Sequence, residues 1–118
     1  MKIKFLTKDI DLTVSLKDYI EKKIQNFMKT HFKNILEILE IHLDLSINHH
    51  HRHGKVQRVE IMIYAPHQIL RVEESANDIY TAFDNIIPKL ETQIEKYKHK
   101  SFSKNKKSRK KLEENQIL

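Results

Sequence analysis

The chain has 118 residues, 39% of them hydrophobic and 32% charged, which suits a single domain with a modest core. It contains no cysteine, which excludes disulfides, thiolate metal sites and cysteine nucleophiles, and its single glycine excludes a glycine-rich phosphate loop. No apolar run approaches ~20 residues, and the N-terminus lacks a signal-peptide pattern. We therefore expect a soluble, cytoplasmic protein without a membrane span.

Hydrophobic periodicity predicts a strand over residues 2–7, followed by a helix that ends near Thr30. This helix can begin at Thr13, or at Ser15 in a capping box with Asp18. Its predicted apolar stripe consists of Leu16, Ile20, Ile24 and Phe27, with Tyr19 and Met28 beside it.

Three further strands are predicted next. Strict alternation over residues 38–47 indicates a half-buried strand, and a polar loop follows at 48–55. Two more strands are predicted at 56–64 and 68–73, joined by a turn at 65–67 that contains a proline. The side chains predicted to face the core are Ile41, Leu43, Leu45, Ile47, Val59, Ile61, Ile63, Leu70 and Val72.

A long second helix completes the domain. Ser75 or Asn77 can cap it, and Pro88 lies inside it, where a missing N–H predicts a kink. Its apolar stripe consists of Ile79, Phe83, Ile86, Leu90, Ile94 and Tyr97. After Lys100 the stripe ends, so we predict a domain over residues 1–100 and a basic, disordered tail over 101–118.

The element order β-α-β-β-β-α predicts an α+β fold with a four-stranded sheet. The first helix forms a crossover between two parallel strands, and the later strands pair as antiparallel hairpins. Each helix has one apolar stripe and each strand one apolar face, so both helices are predicted to cover the same face of the sheet.

Positive charge is concentrated near the C-terminal end. The net charge is +6, yet nine of the 22 basic residues lie between Lys96 and Lys111, a stretch without any acid. Such a block favours a polyanion, and because it lacks an amphipathic face, nucleic acid is the better candidate than a membrane surface. The alternative is a solubilising tail without a partner. The basic residues of the tail are Lys104, Lys106, Lys107, Arg109, Lys110 and Lys111.

The helices supply a second set of candidate contacts. Lys23 and Lys29 lie off the apolar stripe of the first helix, and the second helix places lysines at seven- and four-residue spacing on one side. These lysines are Lys89, Lys96 and Lys100, and Gln93 and Lys98 flank that side. If both helices cover one sheet face, these residues form a basic platform that contacts phosphates. The alternative is an ordinary solvated surface.

Other kinds of site have weaker support. The loop histidines can be read as metal ligands, as a solvated hairpin tip, or as phosphate contacts together with Arg52 and Lys55; we favour the hairpin tip. No nucleophile elbow or catalytic triad is present, so we expect no enzyme activity, cofactor, metal or small-molecule substrate. The histidines are His49, His50, His51 and His53.

Residues 77–100, NDIYTAFDNIIPKLETQIEKYKHK, resemble the second-helix signature of the ribosome hibernation-promoting factor and ribosome-associated inhibitor family. The segments 16–24 and 56–63 resemble the opening helix and third strand of that family. The resemblance implies the same β-α-β-β-β-α fold, which is similar to double-stranded-RNA-binding domains.

The resemblance also implies a function. Family members bind the small (30S) subunit of the 70S ribosome in the channel for messenger and transfer RNA, contact 16S ribosomal RNA and inhibit translation during starvation or stationary phase. The matching basic contacts are Lys23, Lys89, Lys96 and Lys100. We expect a monomer away from the ribosome. The competing interpretations are a free double-stranded-RNA-binding module and, more distantly, a metal-responsive regulator.

Three departures from the family pattern affect these expectations. Thr92 stands where many members carry a basic residue, and Pro88 is unusual in this helix. The sequence also ends at residue 118 without the C-terminal domain by which long members join two ribosomes, so we expect no bridging of that kind. Whether this form promotes or opposes ribosome pairing stays open.

Overall fold

A computed structural model describes the backbone of residues 1–51 and 54–117 and the side chains of residues 1–48 and 56–99. Its elements follow the predicted order, with one additional 3-10 turn at Leu36–Ile38 before the second strand. The elements are β1 (Lys2–Lys8), α1 (Val14–His31), β2 (Glu40–His51), β3 (Gly54–Ala65), β4 (Gln68–Ala76) and α2 (Ile79–Ile117).

The four strands form one sheet in the order β1-β2-β3-β4, as predicted. β1 and β2 are parallel, with Phe5 opposite Leu43, and both later pairings are antiparallel. α1 is the crossover between the parallel strands, and α2 packs against β3 and β4. Both helices contribute to one hydrophobic core on one face of the sheet, and no helix of the described residues covers the other face.

Burial in the core follows the predicted periodicity closely. Every predicted apolar residue of α2, from Ile79 to Tyr97, is buried, and so are the predicted core residues of β3 and β4. The stripe of α1 differs at its end, where Met28 is fully buried and Phe27 is only partly buried. Met28 lies four positions after Ile24 and therefore shares the buried face of α1, whereas Phe27 lies on the side of α1 near α2.

The hairpin between β2 and β3 is longer than predicted. β2 continues to His51 and β3 begins at Gly54, so most of the predicted 48–55 loop belongs to the strands. Pairing of backbone groups does not require apolar side chains, and polar residues therefore extend the ladder past the edge of the core. Residues 52–53, and the side chains of the histidine run, lie outside the described part of the chain.

The structure identifies the residue that caps the N-terminus of each helix. Thr13 caps α1, because its hydroxyl oxygen accepts from the N–H of Leu16 at 3.2 Å. The predicted caps of α2 are wrong: Asp78 accepts from the N–H of Thr81 at 2.9 Å, and Ser75 belongs to β4. β4 is longer than predicted and extends to Ala76, so α2 begins later, after Asp78. Aspartate is a preferred residue at the N-cap of a helix.

The backbone of α2 continues to Ile117, which differs from the predicted disordered tail over residues 101–118. Low hydrophobicity favours disorder, but this segment contains neither glycine nor proline, and nine of its 18 residues are Lys, Arg, Glu or Gln. Extension of an existing helix costs little with such residues, because its nucleation has already occurred. The functional division of the chain at residue 100 stays a prediction.

Candidate nucleic-acid interface

The exposed surface of α2 carries two stripes of opposite charge. Lys89, Lys96 and Lys100 follow one another at seven- and four-residue spacing, and Asp84, Glu91 and Glu95 repeat that spacing five positions earlier. Because each residue turns a helix by about 100°, the two stripes are about 140° apart around α2. Contacts fix their directions: Asp84 faces α1, and Lys89 faces β4. On the described part of α2, the acids therefore lie toward α1, and Lys89 and Lys96 lie toward the sheet edge.

The first predicted contact, Lys23, joins the two helices. Its ammonium group lies 2.6 Å from Oδ1 of Asp84, which also accepts from the hydroxyl of Tyr19 at 2.6 Å. The ammonium group is also 4.8 Å from the centre of the Tyr19 ring. The hydrogen bond from Lys23, helped by that from Tyr19, lowers the pKa of Asp84, and the same contact raises the pKa of Lys23. Lys23 is thus already paired with an anion.

A shallow groove accompanies this ion pair between the helices. It encloses about 460 Å³ and has an apolar part formed by Phe27, Ile87 and Pro88. Lys23 and Asp84 also line it. The helix passes through Pro88, whose carbonyl accepts from the hydroxyl of Thr92 at 3.1 Å. The predicted kink at this proline stays a prediction.

Lys89 is paired in a similar way on the other side of α2. Its ammonium group lies 2.8 Å from Oε2 of Glu74 and donates to the carbonyl of Glu73 at 3.3 Å. The hydrogen bond from Lys89, together with the N–H of Ser75, lowers the pKa of Glu74. Lys89 therefore fastens α2 to β4.

A second groove, of about 350 Å³, lies beside Lys89 at the edge of β4. Gln93 and Thr92 line it from α2, and Arg71 lines it from β4. The side chain of Arg71 is 62% exposed and lies 3.0 Å from Glu60. Sequence reasoning missed Arg71 as a basic group near the lysine stripe, although the strand alternation already placed it opposite Leu70 and Val72.

Other predicted lysines are less constrained. Lys29 and Lys96 are exposed and have no ion-pair partner among the described side chains. Lys98 lies on the α1 side, with its ammonium group 5.7 Å from the centre of the Phe32 ring. The predicted platform is thus interrupted: Lys23 and Lys98 lie toward α1, whereas Lys89 and Gln93 lie toward β4. The side chains of Lys100 and of the predicted tail contacts lie outside the described residues.

On the open face of the sheet, several charged side chains pair with one another. Glu60 is buried and accepts hydrogen bonds from Arg58 and Arg71, and Arg58 also contacts Glu73. Burial raises the pKa of Glu60, but the hydrogen bonds from the two arginines outweigh it and hold that pKa below its usual value. Lys4 pairs with Glu40 at 3.0 Å on the same face. Arg58, Arg71 and Lys4 on this face are therefore already paired with carboxylates.

No group of three or more metal-ligating side chains occurs among the described residues, which do not include the side chains of the histidine run. In the part of the chain that the structure describes, no helix combines the length and apolar character needed to cross a membrane.

The chain is similar in sequence to curated proteins named ribosome hibernation promotion factors. Over 104 residues it is 30% identical to a ribosome hibernation promotion factor of Picosynechococcus sp., and over 92 residues it is 33% identical to that of Bacillus subtilis. These alignments cover 88% and 78% of the chain but only 52% and 46% of the relatives. The chain thus spans about half the length of the curated relatives it matches.

Solved structures agree with the fold. The N-terminal domain of Thermus thermophilus Protein Y superposes with a TM-score of 0.67 at 31% identity, over 82% of this chain and 99% of that domain. A ribosomal subunit interface protein from Coxiella burnetii superposes with a TM-score of 0.68 at 24% identity, over 84% of this chain and 99% of that one, and supports the fold alone. The family model for Sigma 54 modulation protein / S30EA ribosomal protein matches residues 3–101, and the chain therefore belongs to that family.

Proposed function

We propose that this protein is a ribosome hibernation factor that binds the small ribosomal subunit in the channel for messenger and transfer RNA and blocks translation during starvation. The mechanism is steric and non-enzymatic: the folded domain fills the channel while its lysines neutralise phosphates of 16S ribosomal RNA. The protein acts in the cytoplasm and is a monomer away from the ribosome.

One observation about the site carries this proposal beyond the family name. Lys96 and Lys29 are exposed on the outer surfaces of the helices, without an ion-pair partner among the described side chains. Arg71 and Lys89 add two further cations at the neighbouring sheet edge. Ammonium and guanidinium groups on a rigid surface bind phosphates at fixed positions and so respond to the shape of an RNA rather than its sequence. The basic residues after residue 100 add further positive charge to the chain.

Sedimentation tests the proposal directly. We expect the protein to migrate with 30S subunits and 70S ribosomes in sucrose gradients of stationary-phase extracts, and to inhibit translation by purified ribosomes. A competing messenger RNA with a bound initiator tRNA should displace it, since both occupy the same channel. Migration at the top of the gradient, together with binding to free RNA duplexes, would instead support a double-stranded-RNA-binding module that acts away from ribosomes.

A further inference from the structure

Two of the predicted phosphate contacts are occupied by the protein's own acids. Asp84 holds Lys23 at 2.6 Å, and Glu74 holds Lys89 at 2.8 Å. In both pairs the lysine is about half exposed, with 45% of the Lys23 and 54% of the Lys89 side chain accessible. Each lysine is therefore within reach of an incoming phosphate, but the phosphate has to compete with a carboxylate that is already in place.

We propose that Asp84 and Glu74 weaken binding to unsuited RNA by pairing with Lys23 and Lys89, so that these lysines contribute only where an RNA surface fits the whole domain. The proposal rests on the proposed function, because it concerns how the same lysines select their target.

The physical reason is an exchange of ion pairs. A phosphate that approaches Lys23 gains one charge-assisted contact with its ammonium group. In exchange, Lys23 loses its ion pair with Asp84, and the released carboxylate repels the phosphate. An arbitrary duplex that touches the surface at one or two points gains almost nothing from this exchange. An RNA surface that presents a phosphate to the lysine, and a hydroxyl or amino group to the released carboxylate, avoids the repulsion. Selection by such penalties against poorly matched partners is a general route to specificity.

The size of the effect follows from the exposure of the pairs. Ion pairs that are about half exposed typically correspond to factors of about 1.4 to 5 in an equilibrium constant. Removal of both acids should therefore strengthen binding to an arbitrary RNA duplex by about 2- to 25-fold at low salt. Binding to 30S subunits should gain less, and the ratio of 30S affinity to duplex affinity should fall.

The chain offers a matched control. Asp84→Asn with Glu74→Gln removes two negative charges, and so does Glu91→Gln with Glu95→Gln on the exposed stripe of α2 that includes Asp84. Glu91 and Glu95 are exposed and have no ion pair among the described side chains. A general effect of net charge would thus be the same for both double variants, whereas release of paired lysines occurs only in the first.

The experiment measures dissociation constants by fluorescence anisotropy with a short RNA duplex of arbitrary sequence, and by co-sedimentation with purified 30S subunits. A larger duplex gain for the first double variant, with a falling affinity ratio, supports the proposal. Equal gains for the two double variants, or no gain, overturn it. If loss of the Tyr19 contact unfolds the first variant, Glu74→Gln alone against Glu91→Gln decides. Failure of the unaltered protein to bind 30S subunits would refute the proposed function, whereas the duplex comparison would still test the pairing.

Discussion

Reversal of charge at Lys96 should separate a specific phosphate contact from general attraction. Lys89 is a poorer position for this test, because a glutamate there would face Glu74 and weaken the attachment of α2 to β4. Lys96 is exposed, lies on the same stripe and has no ion-pair partner in the described part of the chain. Its replacement should therefore leave the fold intact and change only the surface.

The magnitude follows from the contact it would lose. Opposite unit charges about 4 Å apart in water attract by about 1 kcal/mol, and Lys96→Glu replaces that attraction by a repulsion of similar size. The change of about 2 kcal/mol corresponds to roughly 30-fold weaker binding. Lys96→Gln removes the attraction alone and should lower the slope of log affinity against log salt by about 0.7–0.9.

The assay is co-sedimentation with purified 30S subunits at low and moderate salt, with circular dichroism as a check on folding. Lys8→Glu is the matched control, because Lys8 is exposed at the end of β1 and belongs by strand alternation to the face of the sheet without helices. We expect Lys8→Glu to bind nearly as well as the unaltered protein. A folded Lys96→Glu variant with unchanged affinity would refute the assignment of this stripe, as would equal losses for the two variants.

Three further predictions concern the tail, the histidine run and the helix contact. Deletion of residues 101–118 should reduce the salt slope by roughly 4 to 5 and weaken binding while the site on the ribosome stays the same, whereas equal slopes would indicate a tail without contacts. Serine at all four positions of the histidine run should leave thermal stability and 30S binding nearly unchanged; stoichiometric zinc in protein purified without a metal column, and lost in the variant, would contradict this. Because pairing lowers the pKa of Asp84 from 3.8, its stabilisation is present above that pH and lost as the pH falls through the lowered value. The difference in unfolding free energy between the protein and Asp84→Asn, at most about 1 kcal/mol, should thus shrink in acid denaturation series below about pH 4.

The fold was predictable from sequence because its periodic signals are local. Each pattern lies within a single element and can be recognised without knowledge of its neighbours. Examples are the alternation of Ile41, Leu43 and Leu45 and the helical spacing from Ile79 to Tyr97. Errors arose where neighbouring elements compete. The end of β4 determines whether Ser75 or Asp78 caps α2, and the pairing of β2 with β3 determines how far the hairpin extends.

The candidate site was predictable only in part. The sequence identifies the lysines of α2, but the partner of Lys23 lies 61 positions away in the chain. That pairing depends on how far each helix is rotated about its own axis above the sheet, which hydrophobic spacing defines only roughly. The resemblance to a family assigned Lys23 and Lys89 as contacts without showing that both already have anionic partners. The contribution of Arg71 to the basic surface could not be predicted from sequence, because it depends on the distance between the edge of β4 and α2.

The distribution of charge, rather than its total, governs how the folded body can meet RNA. Residues 1–95 contain 13 basic and 14 acidic residues, so a uniform distribution would give almost no attraction to a polyanion. The spacing on α2 instead separates the signs into two stripes, and Asp84 and Glu74 pair with Lys23 of α1 and Lys89 of α2. Long-range attraction then comes mainly from the basic residues between Lys96 and Lys111. At ordinary salt concentrations this attraction is screened beyond about 8–10 Å. The body contributes at contact, where the positions of individual charges matter. Under the proposed function, the C-terminal segment would approach many RNAs, and firm binding would require that the body also fits.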